Sequence, residues 1–127
     1  MKKIIQTPNA PAPIGPYNQA ILIKDTLYTS GQIAIDPKTG SLILDNIKTE
    51  TRLVMENLKA VLAEADMTFS DVVKTSIFIS DMNNFSEINS VYAEYFDEAT
   101  APVRETVEVT NLPKFVNVEI SMIAIKV

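Results

Sequence analysis

A chain of 127 residues with a net charge of −5 is long enough for one domain with a core, and its acidity disfavours neutralising the phosphates of a nucleic acid. Cysteine and histidine are both absent, which excludes disulfides, the usual zinc sites and nucleophile systems built on Ser-His-Asp or Cys-His. No apolar run approaches the ~20 residues that span a bilayer, and the start is too short and polar for a signal peptide. We therefore expect a single cytoplasmic domain over residues 1–127 that binds neither nucleic acid nor membrane. Any catalysis must rest on Arg, Glu, Tyr, hydroxyl groups, backbone groups and water.

The N-terminal part predicts a short strand at residues 3–6, an extended loop and a β-hairpin. Four of the seven prolines fall in residues 8–16, and each ring fixes φ and biases the preceding residue away from helix. Residues 20–30 hold two apolar runs on either side of a short polar turn, which is typical of a hairpin. We expect the second strand of the hairpin to continue past Gly31 through residues 32–35. A glycine inside a strand often marks a bulge or a close backbone approach.

Two helices are predicted from the spacing of apolar residues. The first spans residues 47–65, and Asp45 or Asn46 can cap its start. Asp66 follows its end, where a left-handed residue is common. The second helix spans residues 84–96. The buried stripes are Val54, Leu58, Val61, Leu62 and Ala65 in the first helix, and Phe85, Ile88, Tyr92, Tyr95 and Phe96 in the second.

Strands rich in β-branched residues complete the pattern at residues 72–79, 103–109 and 116–125. The predicted element order is β-β-β-α-β-α-β-β, with no internal repeat and no linker. Because a sheet must bury one of its faces, we expect an α+β fold in which both helices cover one face of a single mixed sheet.

Alternation along the last two strands sorts their side chains between the two faces of this sheet. We expect Val103 and Val107 to lie on the face under the helices, and Arg104 and Glu119 to share the second, more polar face. Apolar Ile123 lies on that second face as well, which suggests that another subunit covers part of it. A site between subunits could then hold the arginine and the glutamate. The alternative is a solvated face with an ordinary ion pair, which contributes little to stability when exposed.

Five segments spaced along nearly the whole chain form a recognisable set. They are Gly15-Pro16-Tyr17-Asn18-Gln19-Ala20, then Ser30-Gly31-Gln32-Ile33, the helical segment 54–62, residues 71–75, and residues 101–109 with Leu112-Pro113 and Val118-Glu119-Ile120. Together, in this order, they resemble the reactive intermediate deaminase family, also called RidA or YjgF. Their joint occurrence is far more specific than any one of them alone.

The resemblance implies a chorismate-mutase-like fold assembled as a homotrimer, with the three sheets in a central barrel and three clefts between neighbouring subunits. It implies hydrolysis of reactive imines and enamines, such as 2-iminobutanoate, 2-iminopropanoate and 2-aminoacrylate, to 2-keto acids and ammonia. The expected ligands are small 2-imino or 2-keto acids. No cofactor and no metal are expected, which agrees with the lack of His and Cys.

The resemblance carries five site residues onto this sequence. Arg104 would bind the substrate carboxylate through a bidentate pair, and Glu119 would position or deprotonate the attacking water. Tyr17 would close the pocket and could orient the substrate by its hydroxyl. Thr106 would contribute mainly its backbone carbonyl, and Gly31 would bring backbone close to the ligand. Plainer roles are a surface ion pair for the charged residues, packing for Tyr17 and a bulge for Gly31.

Two departures from the family pattern leave the substrate range open. Glu105 stands where a small residue is common, and alternation directs it toward the helix-covered face. A second carboxylate near Arg104 could compete with the substrate for the guanidinium. Ser121 stands where many relatives have an acidic residue.

Two other functions remain open from the sequence. A trimer could hold a small carboxylate through Arg104 and regulate another protein without turnover. RNA cleavage or translational inhibition, a role of some relatives, is disfavoured by the acidic balance and the lack of histidine.

Overall fold

The computed structural model describes all 127 residues. Two helices and six strands follow one another in the predicted order β-β-β-α-β-α-β-β. Neither helix has the length and apolarity that crossing a membrane requires. The helices are α1 (Ile47–Glu64) and α2 (Phe85–Tyr92). The strands are β1 (Lys2–Ile5), β2 (Ala20–Ile23), β3 (Thr26–Thr29), β4 (Val72–Ile79), β5 (Val103–Glu108) and β6 (Val118–Ile125).

All six strands form one mixed sheet in the order β1-β2-β3-β6-β4-β5. Neighbouring strands are antiparallel, except that β5 runs parallel to β4 because α2 carries the chain back between them. Both helices pack on one face of the sheet, so the predicted α+β architecture is confirmed. Strands β1 and β5 form the two open edges, and β6, which carries Glu119, lies near the centre.

The core lies between α1 and the sheet. Local signals place α1 accurately: the Asn46 side chain accepts from the Thr49 N–H at 2.8 Å, and Asp66 adopts a left-handed φ of 57° just past the end. All five residues of the predicted stripe in α1 are buried and belong to a cluster of 21 core residues. No helix covers the opposite face of the sheet, hereafter the open face, although loop residues including Ile33 and Ile35 pack against Phe78 at one end of it.

Two element boundaries differ from the prediction by more than two residues. Helix α2 ends at Tyr92, and the chain continues in turns, although Phe96 still packs against the Tyr92 ring with centroids 4.8 Å apart. Strand β3 ends at Thr29 instead of continuing to residue 35, and Gln32 makes only an isolated bridge with Ile120.

Candidate active site divided between the two faces of the sheet

Arg104 and Glu119 lie on opposite faces of the sheet. Residues paired across neighbouring strands share a face. Thr75 of β4 pairs with both Arg104 and the buried core residue Met122, so Arg104 lies on the face that the helices cover. Glu119 pairs instead with Phe78, one position out of phase, and lies on the open face. The expectation that both residues share one face of a single chain was therefore wrong.

The error arose because β5 is an edge strand whose valines are not buried. Val103 and Val107 lie on the open face and are 69% and 42% exposed. Sorting by polarity places such valines against the helices, whereas the register places them on the uncovered side. Other exposed apolar residues on the open face are Ile4, Ile23, Tyr28 and Ile125.

Glu105 was also assigned to the wrong face. It pairs with Ser76 across the sheet and lies on the open face, where it accepts a hydrogen bond from the Ser76 hydroxyl and approaches Lys74 Nζ to 3.4 Å. The hydrogen bond from Ser76 is the main cause that lowers the pKa of this carboxyl group; burial opposes it, and Lys74 lowers the pKa further. Glu105 therefore has its own partners and does not compete for Arg104.

The open face carries a cavity of about 340 Å³ beside the start of β6. Tyr17, Gly31 and Glu119, three of the five predicted site residues, line this cavity. Its remaining walls are largely apolar and include Ile14, Ile33 and Ile35. The structure therefore brings together the predicted carboxyl, hydroxyl and bare-backbone elements of the site.

Gly31 lies in a bulge directly against Glu119. Between the pairs Tyr28–Ile123 and Gln32–Ile120, the β3 side has one residue more than the β6 side. A Cβ atom on Gly31 would lie 2.7 Å from the carboxyl carbon of Glu119, closer than real Cβ contacts. The structure thus shows both a bulge and a close approach of Gly31 to Glu119, and the approach of Gly31 to a ligand stays a prediction.

Glu119 is partly withdrawn from water at the floor of the cavity. Burial raises the pKa of its carboxyl group. No hydrogen bond to its carboxyl oxygens occurs within the chain. The group is therefore free to accept from, or donate to, a molecule in the cavity.

The proline-rich loop that carries Tyr17 is held in place by the buried side chain of Gln19. Its Oε1 accepts from the Thr7 N–H at 2.7 Å, and its Nε2 donates to the carbonyl oxygens of Thr7 at 3.0 Å and Pro11 at 2.9 Å. The Tyr17 hydroxyl accepts from the Ile14 N–H at 3.3 Å. Its own proton therefore remains available for a ligand. Sequence reasoning missed Gln19 as the residue that fixes this loop.

On the helix face, Arg104 is held by side chains of α2. Its Nη1 donates to Asn89 Oδ1 at 2.7 Å, and its guanidinium carbon lies 5.0 Å from the centroid of the Tyr92 ring and 5.7 Å from that of Phe85. Sequence reasoning missed Asn89. Its position in the sequence was the available signal. Asn89 comes four residues after Phe85 and three before Tyr92, so its amide lies on the same face of the helix as these aromatic side chains.

Thr106 lies on the same face as Arg104, since it pairs with buried Ile77. Its hydroxyl oxygen is buried and has no hydrogen-bond partner in the chain. A buried hydroxyl without a partner is uncommon and indicates a position that a ligand or water completes. The side-chain hydroxyl of Thr106 is thus a second candidate contact besides the predicted carbonyl.

The chain thus consists of a single-sheet α+β domain with an arginine half-site on the helix face and a carboxyl half-site on the open face. No cluster of three or more His, Cys, Asp or Glu side chains is arranged to hold a metal ion. Residues 7–126 match the family model described as Endoribonuclease L-PSP. The chain belongs to this family, which includes the RidA and YjgF proteins, and the predicted resemblance is confirmed.

Relatives match over almost their whole length. A RutC family protein from Synechocystis is 52% identical over 124 residues, which cover 97% of this chain and 95% of the relative. TdcF from Escherichia coli, whose name provisionally calls it a reactive intermediate deaminase, is 44% identical over 128 residues, covering 99% and 98%. Its crystal structure with bound serine gives a TM-score of 0.93 at 42% identity, covering 98% and 99% of the two chains. A Rid family protein from Yersinia pestis gives 0.96 at 49% identity, covering 99% and 100%.

Proposed function

We propose that this protein hydrolyses 2-imino acids and their enamine tautomers to 2-keto acids and ammonia, without a cofactor. The candidate substrates are 2-iminobutanoate, 2-iminopropanoate and 2-aminoacrylate. The observation that carries the proposal is Glu119, a carboxyl group with a pKa raised by burial, at the floor of a largely apolar cavity. A carboxylate whose pKa is raised is a stronger base than an ordinary glutamate, which favours proton transfer from a bound water. The relative that is named a reactive intermediate deaminase supports the same chemistry.

The arginine and carboxyl half-sites require a second copy of the chain to form one cleft. Within one chain the sheet itself separates Arg104 from Glu119. In our proposal, the open faces of three copies close around a central barrel, and Arg104 of one subunit faces Glu119 of the partner subunit. The exposed apolar side chains of the open face support this assembly, because contiguous apolar surface marks an interaction site. A homotrimer with three such clefts is the proposed form.

Arg104 provides carboxylate recognition in this mechanism. Its guanidinium can form two parallel hydrogen bonds with a carboxylate, which places the imine carbon at a fixed distance and orientation. The structure of TdcF with bound serine supports a ligand of this class, since serine carries the same carboxylate next to a nitrogen-bearing carbon. The apolar walls of the cavity suit a short aliphatic substituent.

Hydrolysis then needs one oriented water molecule. Glu119 accepts a proton as the water oxygen bonds to the imine carbon, and the nitrogen takes up a proton as the C=N bond becomes single. The carbinolamine nitrogen then takes up the proton that Glu119 holds. Its hydroxyl loses a proton as the C=O bond forms, and the C–N bond breaks to release ammonia and the keto acid. Tyr17 can donate its free hydroxyl proton to the intermediate. Because an imine carbon is already electrophilic, positioning can supply much of the rate.

A coupled assay tests the activity. A pyridoxal-phosphate threonine dehydratase generates the imine, and semicarbazide traps what remains, with and without this protein. The chain has only two arginines, so Arg52→Lys is a matched control for Arg104→Lys. Arg52 forms an exposed ion pair with Glu94 at 2.9 Å and should be replaceable without loss.

The expected result is faster loss of trappable imine with the wild type and with Arg52→Lys. Arg104→Lys should raise KM at least about tenfold, because an ammonium group cannot reproduce the bidentate pair. No acceleration by a folded wild-type protein would overturn the deaminase proposal. Binding of 2-keto acids without turnover would favour the regulatory carboxylate-binding protein instead.

Mixing two inactive variants tests the division of the site between subunits. Arg104→Ala and Glu119→Gln are refolded together at equal concentrations. Each mixed trimer then regains one intact cleft of three, and random mixing gives about a quarter of wild-type activity. Activity that stays at the level of the separate variants would contradict a cleft shared by two subunits.

The family description also names RNA cleavage as a candidate. The net charge of −5 disfavours it, because nucleic-acid binding takes most of its affinity from cations that neutralise phosphates. RNA cleavage that persists in Arg104→Ala and Glu119→Gln, and binding that falls steeply with salt, would favour the nuclease over the deaminase.

A further inference from the structure

Two aromatic rings of α2 form a surface under the guanidinium of Arg104, which we name the aromatic shelf. The shelf consists of Phe85 and Tyr92, with ring centroids 5.7 and 5.0 Å from the guanidinium carbon. Both distances are within the range in which a cation is attracted to the negative face of an aromatic ring. Tyr92 is 5% exposed, whereas Phe85 is only partly buried.

The buried ring of Tyr92 is anchored from two sides. Its hydroxyl forms a hydrogen bond of 2.8 Å with the hydroxyl of Thr75, which is fully buried in β4. Phe96 packs on it with centroids 4.8 Å apart. Thr75 is also the strand partner of Arg104. One residue of β4 therefore lies beside the arginine in the sheet and holds the Tyr92 ring beneath its guanidinium.

The other contacts of Arg104 leave one edge of the guanidinium available. Asn89 accepts from Nη1, and no group in the chain accepts from Nε or Nη2. These two nitrogens form the edge that binds a carboxylate through two parallel hydrogen bonds. Stacking on the shelf restrains the plane of the guanidinium without using any of these donors.

We propose that Tyr92 and Phe85 are positioning residues that hold the guanidinium of Arg104 ready for the substrate carboxylate. This inference rests on the proposed function for the identity of the ligand. An arginine that is already immobilised loses less side-chain entropy on binding, so the shelf increases affinity without contacting the substrate. Its predicted effect is therefore on carboxylate binding and KM, with kcat at saturation almost unchanged.

Nuclear magnetic resonance tests the stacking independently of any activity. The two arginines give two Nε–H signals, which Arg52→Lys assigns. We expect the Arg104 signal to lie upfield of the exposed Arg52 signal because of the ring currents of the shelf. In Phe85→Leu it should move toward the Arg52 position. An Arg104 signal that does not move in this variant would overturn the stacking.

Binding of pyruvate, measured by calorimetry, tests the consequence. Tyr92→Leu should weaken pyruvate binding about tenfold, Phe85→Leu several-fold, and Tyr92→Phe, which keeps the ring, less than either. Pyruvamide, which lacks the carboxylate, serves as the control ligand, and its binding should not respond to the ring substitutions. Since Phe85 is only partly buried, Phe85→Leu keeps the test valid if Tyr92→Leu does not fold.

The outcomes separate this inference from the proposed function. If the wild type hydrolyses imines, and Phe85→Leu changes neither the pyruvate affinity nor KM, the role of the shelf is overturned and the deaminase proposal is kept. Pyruvate binding that weakens as expected, without any imine hydrolysis by the wild type, would overturn the deaminase and support the shelf. A loss of thermal stability in Phe85→Leu with no change in affinity would show that the rings only pack the core.

Discussion

Gly31 and Glu119 are so close that any side chain on the first must displace the second. A Cβ atom on Gly31 would lie 2.7, 2.8 and 2.9 Å from Cδ, Cγ and Oε2 of Glu119. The obstructing atoms belong to the end of a flexible side chain, so the fold can adapt but the carboxyl group must move. The glycine thus determines where the carboxyl group lies in the cavity.

Gly31→Ala should therefore impair catalysis with little loss of stability. If the carboxyl group acts as proposed, its displacement by about 1 Å can lower the rate about 100-fold. The free energy of unfolding should change by less than about 1 kcal/mol. Steady-state kinetics and urea unfolding measure the two quantities. Gly15→Ala is the matched control, since its Cβ would meet only the Tyr17 ring at an ordinary 3.6 Å. Equal activity of Gly31→Ala and wild type would refute the link between these residues.

The pKa of Glu119 predicts the pH dependence of stability. Because burial raises this pKa above its unfolded value, the folded state binds the proton more tightly than the unfolded chain does. The contribution of the group to stability is then fully present below the unfolded pKa and is lost as the pH rises through the folded pKa. Glu119→Gln, which mimics the protonated group, should have a higher Tm than the wild type at neutral pH.

The difference in Tm should vanish in acid, below the unfolded pKa of about 4. Calorimetric scans over a pH series measure it, with the exposed substitution Glu98→Gln as the control. A gain in Tm for Glu119→Gln that is the same at all pH values would show that the glutamate is not destabilised by burial.

The parts of the molecule that depend on local sequence were predictable, and those that depend on how strands meet were not. The cap at Asn46 and the buried stripe around Leu58 follow from residues within one or two helical turns. The face occupied by Arg104 depends on its pairing with Thr75, almost thirty residues away. The valines of an uncovered edge strand, such as Val103, carry no signal of which face is buried.

The buried carboxylate of Glu50 illustrates a second kind of unpredictable feature. Glu50 lies in the first turn of α1 and is fully buried, with its oxygens accepting from the Asn117 N–H at 2.8 Å and from Asn117 Nδ2 at 2.7 Å. A charge buried in this way requires such hydrogen bonds. The contact joins α1 to the residue just before β6, two positions from Glu119.

Asn117→Ala should destabilise the protein because it removes one of the two donors to this buried carboxylate. Hydrogen bonds to charged groups contribute about 1.5–3 kcal/mol, so we expect the free energy of unfolding to fall by about 2 kcal/mol. Urea denaturation measures the change, and the exposed substitution Asn83→Ala is the control, expected within about 0.5 kcal/mol of the wild type. A loss no greater than that of Asn83→Ala would contradict the role of this contact.

Gln19 should couple the stability of the N-terminal loop to substrate binding. Its side chain is 2% exposed and forms hydrogen bonds with the backbone of Thr7, Ala10 and Pro11. Gln19→Leu would leave several of these backbone groups buried without partners, at about 1–3 kcal/mol for each. We expect the free energy of unfolding to fall by at least about 2 kcal/mol and KM to rise, because the loop also carries Tyr17 at the wall of the cavity.

Hydrogen exchange distinguishes this loop effect from a general loss of stability. In Gln19→Leu the amide of Thr7, which donates to Gln19 in the wild type, should exchange much faster. Core amides of β6 should exchange faster only by the amount that the loss of global stability accounts for. The exposed substitution Gln6→Ala, in the same segment, should leave both exchange and KM unchanged. A constant KM in Gln19→Leu, together with faster exchange of the Thr7 amide, would contradict this coupling. The position of Tyr17 would then depend on the hairpin and not on the anchored loop.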